Sequence, residues 1–389
     1  MSKHRDLLVF VVAGEVSGDR LGGPLMAALK QRTGGRIRFS GVGGPEMVAQ
    51  GLETLFPIDM TAIMGFGGII SRLPAYLERI RKTADAAVEA KPDIVVIIDS
   101  PDFTHRVAKR VRARAPNIRI IDYVCPSVWA WRPWRAKAMR RYIDHVLALL
   151  PFEPDAMKRL RGPPCSFVGH PIGERVGLLR PSTADQLRRA GKPHVVLLMP
   201  GSRKGELQRM LGTFERAAAR IAAGDPAVEL VLPAVSAHAD HLTRQVATWP
   251  VPVRVVADQA EKDAAFRSAR AALVKSGTGT LELAVAGIPM VVAYRVGYVE
   301  GALAYPFINV SSIILANLVL GENVIPQFVQ SNATPAKLAA ATLEIIRDGP
   351  SRQRQLDAFK RLDDIMEIGR ARPSERAADI VLAEIQKRG

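Results

Sequence analysis

Short runs of apolar, mostly β-branched residues recur along the chain and alternate with longer stretches of helical periodicity. Such continuous runs indicate strands that are buried on both faces, as in parallel sheets. The predicted strands are Leu7–Val12, Ile94–Ile98, Ile118–Tyr123, Val146–Leu150, Val195–Met199, Leu230–Leu232, Val253–Val256, Ala271–Val274 and Met290–Ala293. The predicted helices between them include Leu25–Lys30, Leu77–Glu89 and Leu207–Ala222. This alternation predicts an α/β fold with parallel sheets.

The alternation restarts near the middle of the chain, after a passage rich in glycine and proline between Gly162 and Pro171. Both halves open with a buried strand that leads into a glycine-containing turn. We therefore predict two Rossmann-like domains that face a central cleft, followed by a helical tail. The predicted boundaries are residues 1–168, residues 169–345, and residues 346–389 for a tail that packs back on the first domain.

The chain is strongly basic. Its 389 residues contain 54 lysines and arginines against 38 aspartates and glutamates, which gives a formal net charge of +16. Eleven of the basic residues and a single acid, Asp122, lie between Arg106 and Arg141. This excess points to an anionic partner: nucleic acid, a membrane surface or a phosphorylated small molecule. Solvated helix faces explain the basic segment equally well.

Cysteine and hydropathy patterns narrow the location of the protein. Two cysteines, Cys125 and Cys165, allow at most one disulfide, which favours a reducing cytoplasm. No apolar stretch approaches the roughly 18 to 20 residues that cross a bilayer, so we expect any membrane contact to be peripheral. The histidines and cysteines lack the spacing of a zinc site, and we predict neither a metal nor a cofactor.

Turns that follow parallel strands are the expected positions of ligand-binding residues. The turn Gly14–Asp19 combines flexible backbone with a helix start that could hold an anion. Its polar side chains are Glu15, Ser17 and Asp19. The alternative is a tight turn that Asp19 caps. Asp99 follows the strand Ile94–Ile98, where its carboxylate could act as a general base or cap the next helix.

Two turns in the second half suit a nucleotide diphosphate. The turn Pro200–Gly205 places Arg203 and Lys204 directly after a glycine, and arginine can bind phosphate oxygens through paired hydrogen bonds. It lacks the spacing of a P-loop. The segment Lys275–Glu282 repeats the arrangement, and Glu282 could accept both hydroxyls of a ribose. Its turn residues are Ser276, Gly277 and Thr278. The less favoured alternative is that both turns are ordinary loops that bind no ligand.

Two further segments could contact sugar or lipid. The segment Tyr123–Arg135 holds three of the four tryptophans, which suits base stacking, a sugar site, an interface or a core cluster. The segment Met64–Leu77 is apolar, rich in glycine and followed by basic residues, which fits either a surface that dips into lipid or a buried loop. Its candidate membrane-contacting residues are Phe66, Ile69, Ile70, Leu73 and Tyr76.

Together these motifs resemble those of the lipid-A-disaccharide synthase family, over almost the whole chain. The run Pro126–Arg132, with the sequence PSVWAWR, is the most specific match, and the order and spacing of the rest support it. The other matching segments are Ala13–Asp19, Met64-Gly65, Lys91–Asp93, Asp99–Phe103, Leu150–Glu153, Gly169–Pro171, Pro200–Arg203, Ser276–Thr278, Leu281-Glu282 and Asn317-Leu318.

The resemblance implies a GT-B glycosyltransferase. Members transfer 2,3-diacylglucosamine from its UDP derivative to the 6-hydroxyl of 2,3-diacylglucosamine 1-phosphate (lipid X), with inversion at the anomeric carbon. It further implies that Asp99 is the catalytic base, that Arg203 binds the diphosphate, and that Asn317 lies near the nucleotide. The other candidate substrate-binding residues are Glu15, Ser17, Asp19, Ser127, Trp129, Ser276, Gly277, Thr278 and Glu282. We expect peripheral contact with an anionic inner-membrane surface on its cytoplasmic side, and a homodimer is left open.

Three positions depart from the family pattern: Cys125 replaces a frequent serine, Thr104 a common asparagine and Gln327 a frequent glutamate. The first two adjoin the acceptor side, whereas the third argues against an acid role at position 327.

The alternative enzyme is another GT-B protein that acts on a UDP-amino sugar, such as a 2-epimerase or a peptidoglycan-type transferase. A nucleic-acid-binding protein is the third hypothesis, but no nucleic-acid-binding motif is present and we predict no such partner.

Overall fold

A computed structural model describes residues 5–58, 69–297 and 312–387, apart from the side chains of residues 69–72. The chain divides into two compact units, one of Met1–Gly173 with Arg370–Gly389 and one of Glu174–Gly369. Each unit contains a parallel sheet with helices, so the predicted α/β class with two Rossmann-like domains is confirmed.

The first unit contains a sheet whose strands are all parallel. These strands are β1 (Leu7–Ala13), β2 (Ile37–Val42), β3 (Leu52–Thr54), β4 (Ile94–Ile98), β5 (Arg119–Tyr123), β6 (His145–Ala148) and β7 (Cys165–Phe167). They lie in the order β3-β2-β1-β4-β5-β6-β7. The strand order therefore reverses between β1 and β4, and such a switch point is where doubly wound sheets bind their ligands.

The second unit repeats this topology. Its strands are β8 (His194–Met199), β9 (Val228–Pro233), β10 (Val253–Val256), β11 (Ala271–Lys275), β12 (Met290–Tyr294) and β13 (Gln327–Val329). They lie in the order β10-β9-β8-β11-β12-β13, with the same reversal between β8 and β11. Met199 is in register with Val274, so the turns that follow β8 and β11 are neighbours.

Helices connect the strands. They are α1 (Val16–Thr33), α2 (Pro45–Ala49), α3 (Ile69–Ala90), α4 (Pro101–Arg114), α5 (Trp134–Met139), α6 (Glu153–Arg159), α7 (Ile172–Leu179), α8 (Thr183–Ala190), α9 (Lys204–Gly224), α10 (Ala239–Val246), α11 (Gln259–Ser268), α12 (Gly279–Val285), α13 (Leu315–Leu320), α14 (Pro335–Ile346), α15 (Pro350–Lys360), α16 (Leu362–Ile365) and α17 (Pro373–Gln386). None of those in the described ranges combines the length and apolar character that a bilayer crossing needs.

Side chains of β1 alternate between two buried layers, because successive residues of a strand point to opposite faces of the sheet. Phe10 and Val12 enter the layer that includes Phe103 of α4. Val9 and Val11 enter the opposite layer, to which α1 and α17 contribute. Both faces of the strand are covered, which is the physical reason for its uninterrupted apolar run.

Residues 346–389, predicted as one helical tail, are divided between the two units. Helices α15 and α16 belong to the second unit, where Phe359 and Leu362 are buried. Only α17 returns to the first unit, because Ala377 and Val381 on one of its faces fill the apolar layer beside α1. The first unit also extends to Gly173 rather than ending at residue 168.

Four of the described strands are not predicted by the apolar runs: β2, β3, β7 and β13. Strands β3, β7 and β13 have three residues each, which is too short for a recognisable run. Strand β2 alternates buried Ile37 and Phe39 with the more accessible Arg38 and Ser40. The pattern in β2 is therefore the alternating signal of a strand with one polar side.

Candidate active site

The turns after β1, β4 and β5 lie side by side, because β4 is hydrogen-bonded to both other strands. Asp99 follows β4 and is partly exposed at this edge of the sheet. Ser17 lies in the first turn of α1, and its hydroxyl donates a 2.6 Å hydrogen bond to Oδ2 of Asp99. The structure therefore brings together two predicted site residues that are 82 positions apart in the sequence.

The backbone at Asp99 is strained. Asp99 and Ser100 have φ angles of 54° and 47°, in the left-handed region that residues other than glycine rarely adopt. The Ser100 amide donates to Oδ1 of Asp99 at 2.7 Å. The buried hydroxyl of Thr104 donates to the carbonyl oxygens of Asp99 and Ser100 at 2.7 and 3.1 Å. These bonds hold the carboxylate in one orientation, a role of Thr104 that its departure from the family pattern does not predict.

Gly14 allows the first turn to approach this strained one. A Cβ atom at Gly14 would lie 2.5 Å from Cβ and 2.7 Å from Oγ of Ser100, closer than real contacts permit. Glu15 follows as the N-cap residue of α1 and has an exposed side chain. Gly14 therefore allows the turn after β1 to pack against the turn that contains Asp99.

Asp19 is buried and binds the start of a neighbouring helix. Its side chain is 3% exposed, and Oδ1 accepts the amides of Gly44 and Met47 at 2.8 and 3.0 Å. Oδ2 accepts the amide of Glu46 at 3.0 Å. The carboxylate thus caps the start of α2 by accepting three backbone amides, and substrate contact through Asp19 stays a prediction.

The tryptophan-rich segment follows β5, next to the Asp99 turn. Ser127 is exposed, whereas Trp129 is half-buried and its indole donates to Oε1 of Glu153 at 3.1 Å. Oε2 of Glu153 accepts the amides of Leu149 and Leu150 at 3.1 and 2.9 Å. Burial nevertheless dominates and raises the pKa of Glu153 to about 7. Trp129 is therefore anchored by a buried carboxyl, and sequence reasoning missed the role of Glu153.

The apolar segment predicted to contact a membrane is only partly described. Phe66 lies outside the described residues, and only the backbone of Ile69 and Ile70 is described, at the start of α3. Leu73 is 41% exposed, which a lipid contact requires. Tyr76 is 6% exposed, and its ring packs against Phe103 at a centroid distance of 5.8 Å.

Ion pairs engage part of the basic segment Arg106–Arg141. Arg112 pairs with Asp144, Arg114 with Asp85, and Arg119 with the buried Glu384 of α17. These three arginines stabilise the fold of the first unit, in contrast to Arg106 and Arg110, which are exposed on α4.

In the second unit, the turn after β8 carries the predicted diphosphate ligands. Gly201 has a φ of 127°, which requires glycine at this position. The side chain of Arg203 is 77% exposed. Oε2 of Glu206 accepts the amides of Ser202 and Arg203 at 3.1 and 3.3 Å. The amides expected for phosphate are therefore held by a carboxylate of the protein itself.

Glu206 could have been found from its spacing. Glu206 lies three residues after the N-cap of α9, the position from which a glutamate in a capping box reaches back to the N-cap amide, although Arg203 stands here in place of the usual serine or threonine. Burial opposes its ionisation, but hydrogen bonds from Lys275 and from the two amides outweigh burial and lower the pKa of Glu206 below its ordinary value.

The turn after β11 and the loop beside it are joined by hydrogen bonds from buried side chains. The buried Ser276 hydroxyl donates to the carbonyl of Ile313 at 2.6 Å. The Asn317 side chain is 2% exposed and exchanges hydrogen bonds with the backbone of Ile325 at 3.1 Å in both directions. The polar atoms of these two side chains therefore hold the surrounding loop, and their contact with substrate stays a prediction.

Gly277, Thr278 and Glu282 remain accessible beside that loop. Within the described residues, the amides of Gly277 and Thr278 have no hydrogen-bond acceptor. Glu282 lies one turn into α12, and its carboxylate is 3.8 Å from the Arg175 guanidinium. In the described ranges no three His, Cys, Asp or Glu side chains come together as metal ligands would.

Solved structures of other proteins share this fold. The chain is similar to the glycotransferase of kitacinnamycin, with a TM-score of 0.62 and 19% identity over 98% of this chain and 100% of that chain. CalG4, the calicheamicin glycosyltransferase, gives a TM-score of 0.59 at 18% identity and covers 99% of each chain. At this level of identity the likeness shows the fold alone. The fold is the two-Rossmann GT-B fold of glycosyltransferases.

Sequence comparison identifies the family. The family model described as Lipid-A-disaccharide synthetase matches residues 9–381. The lipid-A-disaccharide synthase of Nitrobacter hamburgensis is 55% identical over 374 residues, which cover 96% of this chain and 94% of that protein. The chain therefore belongs to the lipid-A-disaccharide synthetase family, and the predicted resemblance is confirmed. The alternative of a 2-epimerase or a peptidoglycan-type transferase is not favoured.

Proposed function

We propose that this protein transfers 2,3-diacylglucosamine from UDP-2,3-diacylglucosamine to the 6-hydroxyl of lipid X. The products are the β-1,6-linked disaccharide 1-phosphate of lipid A biosynthesis and UDP. The observation that carries the proposal is the carboxylate of Asp99, held by Ser17 and Ser100 at the switch point of the first sheet in a chain of this family.

Asp99 acts as the general base in this reaction. It takes the proton of the acceptor 6-hydroxyl, the oxygen forms a bond to the anomeric carbon, and the bond from that carbon to the diphosphate oxygen breaks. A single displacement inverts the α-linked donor to the β product. The two hydrogen bonds to Asp99 fix its direction, so less reorganisation is needed when the acceptor binds.

The second unit supplies the cations that stabilise the departing UDP. Arg203 extends from the N-cap of α9 with an exposed guanidinium, and Lys204 follows it. A guanidinium can donate two parallel hydrogen bonds to phosphate oxygens, which stabilises the charge that develops on the leaving group. Glu282 is the candidate partner of the ribose hydroxyls.

An assay with defined acyl chains tests the proposal. Turnover is expected with acylated UDP-glucosamine and lipid X, and none with UDP-N-acetylglucosamine as donor.

Asp99→Asn is expected to lower kcat by about 10²- to 10⁴-fold while UDP binding persists. Arg203→Ala is expected to raise the UDP Kd about tenfold, whereas Arg254→Ala, which removes an exposed arginine paired with Glu229 in the same unit, leaves it unchanged. Full activity of Asp99→Asn would exclude Asp99 as the base.

Peripheral membrane contact is part of the same proposal, because both substrates carry acyl chains. Leu73 and Leu77 are exposed at 41% and 37%, and their spacing of four residues puts them on one face of α3. The exposed basic residues Arg106 and Arg110 lie on α4, which packs against α3. Apolar side chains beside basic ones suit an anionic lipid surface, where each well-placed cation contributes about 1 kcal/mol.

Vesicle sedimentation tests this contact. Charge reversal at Arg106 and Arg110 is expected to weaken binding to anionic vesicles. Reversal at Arg112 or Arg114 is unsuitable, because it would break an ion pair of the fold. Binding that ignores the Arg106 and Arg110 changes would contradict the electrostatic part of the proposal. We propose that the protein acts at the cytoplasmic face of the inner membrane, where its acylated substrates would lie. A homodimer stays a prediction, which a mass measurement in solution would test.

A further inference from the structure

Lys275 lies between the two turns that suit a nucleotide diphosphate. It is the last residue of β11, and its ammonium donates to Oε1 of Glu206 at 2.8 Å. A Cβ at Gly277 would lie 3.9 Å from the same nitrogen. The Lys275 ammonium therefore contacts the start of α9 through Glu206 and also approaches the turn after β11.

The surroundings of Lys275 are mostly protein. Its side chain is 16% exposed, and its nitrogen lies 5.4 Å from the ring centroid of Tyr294. A lysine withdrawn from water in this way needs a counter-charge, because the desolvation of an unpaired ammonium is costly. In the described structure, that counter-charge is Glu206, whose side chain is 14% exposed.

Glu206 makes the contacts that a phosphate group would make. Its oxygens accept the amides of Ser202 and Arg203, the ammonium of Lys275 at 2.8 Å, and the Arg203 guanidinium at 3.4 Å. Two amides, an ammonium and a guanidinium form a donor set that binds an anion with charge-assisted hydrogen bonds. A helix cap would need only the two amides.

Resting on the proposed function, we infer that Lys275 is a further diphosphate-binding residue and that Glu206 is its internal counter-ion. Glu206 holds the ammonium and the two amides until the diphosphate of the donor displaces its carboxylate. Arg203 and Lys275 then supply two positive charges to the two negative charges of a nucleotide-sugar diphosphate. This exchange keeps Lys275 paired with and without donor.

The two partners of this ion pair are expected to have opposite effects on UDP binding. Lys275→Met removes the ammonium at similar length and is expected to raise the UDP Kd about tenfold. Glu206→Gln removes the competing carboxylate charge and is expected to lower the UDP Kd about threefold. A pair that only stabilises the fold would give changes of one sign, because either variant breaks the same contact.

Isothermal titration of the full chain with UDP measures these changes, and thermal unfolding checks that each variant is folded. Lys275→Arg keeps the charge and is expected to bind UDP within about threefold of the wild type. Lys360→Met removes an exposed lysine paired with Asp357 in the same unit and is the matched control, with an unchanged Kd. If Lys275→Met does not fold, the direction of the change in Glu206→Gln decides the inference.

Two results would overturn the inference. One is a folded Lys275→Met variant with the wild-type UDP Kd; the other is a Glu206→Gln variant with weaker UDP binding. The wild type and Arg203→Ala separate this failure from that of the proposed function. If the wild type binds no UDP, the proposed function itself fails; if Arg203→Ala weakens binding and Lys275→Met does not, only the role of Lys275 is wrong.

Discussion

The hydroxyl of Ser17 donates a 2.6 Å hydrogen bond to Oδ2 of Asp99, which joins the turns after β1 and β4. The other carboxylate oxygen accepts the Ser100 amide. Each oxygen thus has one protein donor and retains a lone pair for a substrate hydroxyl. This geometry suits a general base whose direction is fixed before the acceptor binds.

Ser17→Ala removes one of these donors. We expect kcat to fall about tenfold, because a hydrogen bond to a charged group is worth roughly 1.5 to 3 kcal/mol and part of that free energy orients the base. Steady-state kinetics with both acylated substrates measures the change. Ser17→Thr keeps a hydroxyl and is the control, with most of the activity retained. Equal activity of the alanine variant and wild type would show that Ser17 does not position Asp99.

Gly14→Ala introduces a Cβ atom 2.5 Å from Cβ of Ser100. We expect kcat to fall at least about tenfold, because relief of an overlap of this kind costs roughly 1 to 3 kcal/mol and shifts the Asp99 turn. The double variant Gly14→Ala/Ser100→Gly removes the opposing side chain, and glycine tolerates the φ of 47° at position 100. Recovery of kcat in the double variant supports this cause, and a double variant as inactive as Gly14→Ala contradicts it.

Asp19→Asn separates a structural role from substrate binding. An asparagine offers one acceptor oxygen to the three amides that Asp19 binds, so we expect the free energy of unfolding to fall by about 1 to 3 kcal/mol. Urea denaturation measures this loss. At a temperature where the variant is folded, KM for both substrates should stay within about twofold of wild type, since α2 is preserved. A selective rise in one KM with unchanged stability would instead support substrate contact through Asp19.

Glu153 makes stability depend on pH. Its pKa is raised from 4.5 to about 7, so the folded state holds the proton more tightly than the unfolded state. This stabilising contribution is complete below pH 4.5 and is lost as pH rises through about 7, at most about 3 kcal/mol in all.

Glu153→Gln removes this titration. We expect the unfolding free energies of wild type and variant to converge, or to cross in favour of the variant, as pH rises from 4.5 to 8. Urea denaturation at several pH values measures both proteins. A constant difference across that range would mean that Glu153 titrates at its ordinary pKa.

Much of this fold is determined by local sequence. Strands such as β4 are buried on both faces, so five consecutive apolar residues suffice to predict them. The turns that follow them could be named from glycine and polar residues alone, and the family follows from the order of those motifs. These features are readable because each depends on residues that are adjacent in the chain.

The roles of individual polar side chains were decided by tertiary structure. Asp19, Ser17 and Asn317 all look available in the sequence, yet only Ser17 of the three joins the Asp99 carboxylate, while the others bind backbone amides and carbonyls. The pairing of Lys275 with Glu206 spans 69 positions and exists only because β8 and β11 are neighbours in one sheet. A side chain's hydrogen-bond partner is set by which strands and helices pack together, and no local pattern records that choice.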